Sequence, residues 1–267
     1  MRTKTQSTGL RLLDEFVGDG LTHFTTAEAA ARLGRSPAAT GNLMRRLVRD
    51  GLVDRVRRGH YAIRQIGTLG TVAAAENVLL AVAAGFAHVP HRVAYRTALD
   101  QLDLLTHPSR TIQVALTKPT RSETLSGRRL TVVQESDETL MLGAKQRDGV
   151  YISDLERSLL DAAARPELVG GAAILAEAIG AAASKGVNAE RLTSYARVLS
   201  WGSALRRIGS IVDTLRIPGL VNQLEPLTKP TSDIDLEPGQ DTSSFRDSKW
   251  WVRWDLPPSE LHNVVFQ

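Results

Sequence analysis

Residues 36 to 46 read Ser-Pro-Ala-Ala-Thr-Gly-Asn-Leu-Met-Arg-Arg, with Arg35 just ahead. Small side chains at Ser36, Ala38, Ala39, Thr40 and Gly41 let a helix approach another surface closely. Asn42, Arg45 and Arg46 then supply longer hydrogen-bonding groups. In a major groove, Asn can bond adenine bidentately, and Arg can reach guanine or phosphate. Thr40 has two readings, because it lies four residues before Met44 and seven before Leu47. It faces either DNA or the core.

Such a stretch works only if a second element presses it into the groove. The sequence supplies one. Residues 9–18 place Leu10, Leu13 and Val17 at helical spacing. Thr25 and Glu28 form a capping-box pattern opening a second helix, which Gly34 ends. Ser36-Pro37 restarts the chain as a third helix, with Ser as N-cap and Pro in the first turn. That helix runs to about Asp50, and Gly51 stops it. Two short apolar segments, residues 52–56 and 61–63, flank the basic turn Arg57-Arg58-Gly59-His60 and read as a β-hairpin. The order is that of a winged helix-turn-helix. The expected contacts are phosphate at Thr25 and Thr26 through a helix N-terminus, base edges along Arg35 to Arg46, and phosphate or minor groove at Arg57, Arg58 and His60. Arg49 and Arg55 read equally as ordinary surface charges. Winged helices also serve as protein-interaction modules, so the element order alone does not decide between the two uses.

The arginines on both the third helix and the wing tip favour DNA, and the charge distribution fits either a polyanion partner or plain solvated surface. Residues 1–66 hold twelve Lys/Arg against six Asp/Glu, whereas residues 218–267 hold four against eight. The whole chain of 267 residues is at +4, so its positive excess lies in the first quarter. Cysteine is absent, which excludes disulfides and thiolate metal sites and fits a reducing cytoplasm. The N-terminus lacks signal-peptide features. The apolar run from Thr71 to Pro90 is interrupted by Glu76 and Asn77 and is too short for a convincing span. A soluble, cytoplasmic protein is expected, with no membrane partner.

The spacing predicts an α+β chain. A winged helix-turn-helix over 1–66 and a linker at 67–71 lead into a larger mixed α/β domain over 72–267, with a small sheet and a C-terminal helical region. Helices are expected at 72–87 and 91–102. Strands are expected at 111–117, 129–134 and 149–152, with a loop at 119–127. Ser153 to Glu156 reads as another capping box opening a helix. Further helices are expected at 171–184, 188–199 and 203–216. The tail from Pro218 reads as irregular, ending in an aromatic strand at Trp250 to Trp254.

That larger domain offers no credible catalytic constellation. The six histidines are scattered, and His88 and His91 have no third ligand nearby. G-x-S-x-G, G-x-G-x-x-G and Walker A patterns are missing. Asp247-x-Lys249 has the spacing of a nuclease pair but lies in the tail. Asp233-x-Asp235 lies too far from Gly202-Ser203 or Gly209-Ser210 for a nucleotidyltransferase. Asp154, Glu156, Arg157 and Asp161 read best as a cap and helical ion pairs. Arg206 and Arg207 either extend a DNA-binding face or solvate a helix. The expectation is a non-enzyme without cofactor or metal.

Several stretches resemble the AbiEi family, the antitoxin half of type IV toxin–antitoxin systems. They are residues 91–99 (His-Arg-Val-Ala-Tyr-Arg-Thr-Ala-Leu), 111–117, 150–161 (Val-Tyr-Ile-Ser-Asp-Leu-Glu-Arg-Ser-Leu-Leu-Asp), 166–171, 206–209, 236–239 and 253–256. The resemblance implies an autorepressor that binds inverted repeats in its own promoter, with double-stranded DNA as partner and a dimer possible there. It also implies a nucleotidyltransferase-like toxin, countered without a stable complex. A stand-alone ligand-responsive transcription factor and a DNA-targeted nuclease with a degenerate motif remain as alternatives.

Overall fold

The computed structural model describes residues 3–64, 77–120, 123–239 and 244–266, with side chains from residue 8 onward. The expected linker at 67–71 lies outside the described residues, as do residues 72–76 of the helix expected there.

The N-terminal elements are α1 (Thr3–Gly18), β1 (His23–Thr25), α2 (Thr26–Leu33), α3 (Pro37–Arg49), β2 (Val53–Arg57) and β3 (His60–Ile63). Helix α1 begins earlier than the apolar spacing suggested, and β1 was not anticipated. The strands form a sheet in the order β1-β3-β2. Leu12, Phe16, Phe24, Leu43, Met44, Leu47, Val53 and Tyr61 make the core between helices and sheet. Phe16 and Phe24 stack with centroids 4.5 Å apart. The caps form as their chemistry requires. Thr25 and Glu28 complete both halves of the box, and Gly34 takes a left-handed conformation at φ 60°.

The other face of this small sheet is not open to solvent. Val56 and Ala62 share a buried cluster with α4 (Val78–Phe86) and with the strands beyond it. These are β4 (His91–Val93), β5 (Thr111–Leu116), β6 (Thr124–Leu125), β7 (Arg128–Gln134), β8 (Ala144–Arg147) and β9 (Val150–Ser153). They make one mixed sheet of six strands in the order β6-β7-β5-β4-β9-β8. This sheet is larger than expected, because β4, β6 and β8 were not recognised as strands. Residues 91–93 are strand rather than helix, and only α5 (Tyr95–Gln101) follows as helix. Each side chain of β4 is buried, so the run lacks the two-residue alternation that marks a half-buried strand.

A second buried cluster joins Ala115 of β5 and Tyr95 of α5 to α6 (Asp137–Leu140), α7 (Leu155–Ala164), α8 (Pro166–Val169), α9 (Ala172–Ser184), α10 (Ala189–Val198) and α11 (Gly202–Thr214). The cap of α7 is Asp154 rather than Ser153, its side chain accepting from the Arg157 amide. Ser153 instead ends β9. Two guanidiniums and two carboxylates close a buried ring here. Arg92 contacts Asp161 at 2.6 Å and Glu135 at 2.6 Å, and Arg157 contacts the same pair at 2.7 Å each. Burial opposes ionisation of Asp161, but Arg92 and Arg157 outweigh it and hold the carboxyl below its usual range. Arg157 therefore pairs with Asp161 at i,i+4, as helical spacing suggested.

The tail is not an irregular appendage. It forms β10 (Ile234–Asp235), β11 (Phe245–Asp247), β12 (Val252–Trp254) and α12 (Pro258–Val265), with the strands ordered β10-β12-β11. Trp250 and Trp254 are fully buried in the main core. Asp247 accepts from the Ser210 hydroxyl and from the Lys249 and Trp250 amides, and Lys249 pairs with Asp213 at 2.8 Å. Arg206 and Arg207 fit neither expectation, because both donate to backbone carbonyls of the core and tail: Arg206 to Trp250 and Trp251, Arg207 to Ala163 and Asp235. Among the described residues, no helix is long and apolar enough to cross a membrane.

Candidate nucleic-acid interface

Helix α3 begins where Ser36 Oγ accepts from the Ala39 amide at 3.2 Å and Pro37 takes the first turn. Thr40, Leu43, Met44 and Leu47 point into the core. The remaining stripe is presented to solvent. Arg35, Ser36, Ala38, Ala39, Asn42, Arg45, Arg46 and Arg49 are all exposed. No acidic residue interrupts that stripe. The Arg45 guanidinium donates to Asn42 Oδ1, so the two polar heads are held together on the helix surface. A base edge bonding Asn42 bidentately must therefore displace Arg45 toward a neighbouring phosphate or base.

Thr40 departs from the expected set. It is fully buried, and its hydroxyl donates to the Ser36 carbonyl at 3.0 Å. With Met44 and Leu47 it belongs to the core face, one of the two readings its spacing allowed.

The N-terminus of α2 departs as well. The Thr25 amide and hydroxyl both donate to Glu28 Oε2, at 2.6 and 2.8 Å. The Thr26 amide donates to the Gly59 carbonyl at 2.9 Å, and its hydroxyl contacts the same oxygen at 3.5 Å. The groups expected to meet phosphate are thus engaged internally, and a carboxylate sits where an anion would bind. Burial opposes the charge on Glu28, but the bonds from Thr25 and the approach of His88 hold its carboxyl below the usual range.

The wing is short and divided in orientation. Its turn, with Gly59 at φ 79°, lies level with the end of β1, since Thr25 pairs with His60. A register shift between Arg55 and Arg57 turns Arg57 toward α4, where its guanidinium lies 5.1 Å from the Phe86 ring centroid. Burial lowers the Arg57 pKa, and its Nε has no hydrogen-bond partner among the described residues. His60 turns the same way, its Nδ1 donating to the Ala84 carbonyl at 3.0 Å. Burial first, then the charge of Arg57, lowers the His60 pKa. Arg58 alone of the three expected wing contacts is exposed, with Arg55 exposed beside it. Arg57 and His60 are junction residues because the second face of the sheet is covered by α4, a non-local contact that hairpin chemistry does not encode.

The arrangement is a rigid three-helix unit with a basic, acid-free helix face, a single basic wing turn and a back face fixed to a larger domain. Residues 11–64, spanning α1 to β3, match the family model described as transcriptional regulator, AbiEi antitoxin. The AbiEi match confines itself to the winged helix; the stretches between 91 and 256 that resemble the family lie outside it. Among solved structures, the chain is similar to the Rv2827c protein from Mycobacterium tuberculosis, at 19% identity and a TM-score of 0.67. That likeness covers 98% of this chain and 95% of the other, so the fold beyond residues 11–64 is shared too. No curated protein matches the chain.

Proposed function

We propose that this chain is a transcriptional autorepressor and antitoxin that binds inverted repeats in its own promoter and counters a nucleotidyltransferase-like toxin without a stable complex. The observation that carries the DNA reading is the exposed face of α3, where Asn42, Arg45, Arg46 and Arg49 stand free of any acid. The AbiEi match over the same residues supports it.

In this reading α3 enters the major groove. Ser36, Ala38 and Ala39 allow close approach, Asn42 and Arg45 meet base edges, and Arg46, Arg49 and Arg58 neutralise phosphate. Each neutralised phosphate releases condensed counterions, so binding weakens steeply with salt. Two protomers on an inverted repeat would occupy half-sites about one helical turn apart. The larger domain supplies antitoxin action without catalysis of its own, and the protein works in the cytoplasm.

A gel-shift titration against the upstream promoter, with scrambled competitor, tests the first half. Specific binding to an inverted repeat is expected, and equal affinity for scrambled DNA would overturn it. Co-expression with a nucleotidyltransferase-like toxin tests the second. Growth should be restored by the full chain, and failure to restore it would remove the antitoxin assignment while leaving DNA binding in place.

A further inference from the structure

The β8–β9 hairpin and the C-terminal ends of α5 and α9 frame an open cavity of about 460 Å³, within the range of roughly 300–1,000 Å³ typical of small-molecule sites. Leu102 and Leu155, both partly exposed, give it an apolar floor. Three cations from two segments line its rim: Lys145 and Arg147 on β8 and Lys185 after α9. In strand β8, residues 145 and 147 share a face because side chains alternate, and Lys145 pairs across with Ile152 of β9.

Two of these cations are held in place by the backbone. Arg147 Nη1 donates to the Gln101 carbonyl at 2.9 Å, and Lys185 Nζ donates to the Leu102 carbonyl at 2.6 Å. Each keeps further N–H donors for a ligand. The nearby carboxylates compensate weakly. Asp148 stands 3.8 Å from Arg147 and Asp103 stands 3.9 Å from Lys185, both at the limit of an ion pair and both exposed. The buried Asp154 has its two oxygens occupied by the Arg157 amide and the Tyr195 hydroxyl. An apolar floor beneath a cationic rim matches a ring bearing phosphate groups.

We propose that this cavity binds a nucleotide-sized organic phosphate, its ring on Leu102 and Leu155 and its phosphates at Lys145, Arg147 and Lys185. The site lies in the larger domain and does not depend on the DNA reading. It gives that domain a means of sensing a small molecule.

Isothermal titration of the full chain with ATP tests this, beside adenosine as the phosphate-free control. Saturable ATP binding is expected, with adenosine much weaker. The K145Q/R147Q double variant and K185Q should each weaken ATP by about tenfold or more, with unchanged thermal melts. Because ATP could also meet the α3 arginines, R45A/R46A is the second comparison and should bind ATP as the parent does. Absence of saturable binding, equal affinity for adenosine, or loss in R45A/R46A with retention in K145Q/R147Q would each overturn the proposal.

Discussion

Glu28 Oε1 and His88 Nε2 lie 3.1 Å apart, joining the second helix of the winged helix to the segment that follows α4. The same carboxylate holds both donors of Thr25. One acidic side chain thus caps α2, excludes an anion from its N-terminus and ties the winged helix to the larger domain. The junction around it contains His23 and His60, both partly buried. Burial, the largest cause in each case, lowers both pKa values below the ordinary histidine value.

The junction therefore predicts a pH dependence. A buried histidine with a lowered pKa stays neutral in the fold, whereas in the unfolded chain it protonates near its ordinary value of about 6.5. Below that pH the unfolded state binds more protons, so stability falls. The lowered carboxyl of Glu28 acts in the same direction at still lower pH. Thermal melts should drop between about pH 7 and pH 5, with a shallower drop in His60→Gln. A flat profile, or a melt that rises on acidification, would contradict this account of the junction.

The two wing arginines should separate cleanly. Arg58→Ala should weaken DNA binding evenly across sequences and reduce the salt slope by about 1. Arg57→Ala should leave the slope unchanged, because that guanidinium lies over Phe86 rather than at the surface. Titrations at several salt concentrations distinguish the two, and an equal loss of slope in both variants would place Arg57 on DNA after all.

Asp161 should be intolerant of neutralisation. Asp161→Asn leaves Arg92 and Arg157 sharing one carboxylate inside the core, and breaking such a buried pair costs about 3–5 kcal/mol. Chemical denaturation measures it; a loss below about 1 kcal/mol, the scale of an exposed pair, would show that the ring is wetter than the geometry indicates.

A methyl group at Gly209 should also be costly. A Cβ there would lie 2.1 Å from the Trp250 indole, which is fully buried and has no room to retreat. Overpacking of this kind costs about 1–3 kcal/mol, although alanine is the better helix former. A Gly209→Ala protein as stable as the parent would mean that Trp250 can repack.

Legibility in the sequence followed the range of the interactions. Thr25 with Glu28, Ser36 with Pro37, and Gly34 act over three or four residues, and those caps fall where the letters place them. The apolar positions 43, 44 and 47 likewise separate the core face of α3 from its exposed face. His91 to Val93 was hidden because a strand buried on all sides has no alternation to detect. The tail was hidden because its partner is distant: Trp250 gains its place against Gly209, 41 residues earlier. Arg57 and His60 follow the same logic. Their basic character is local, but their burial is decided by α4.

The most direct test of the central claim is a salt series of operator binding for the parent chain and for Arg45→Ala and Arg46→Ala. The account predicts steep salt dependence in the parent and a loss of about 1–3 kcal/mol for a variant whose arginine reads a base, with Arg46→Ala lowering the slope if it meets phosphate. Unchanged affinity and slope in both variants would contradict the placement of α3 in the groove and, with it, the DNA-reading function.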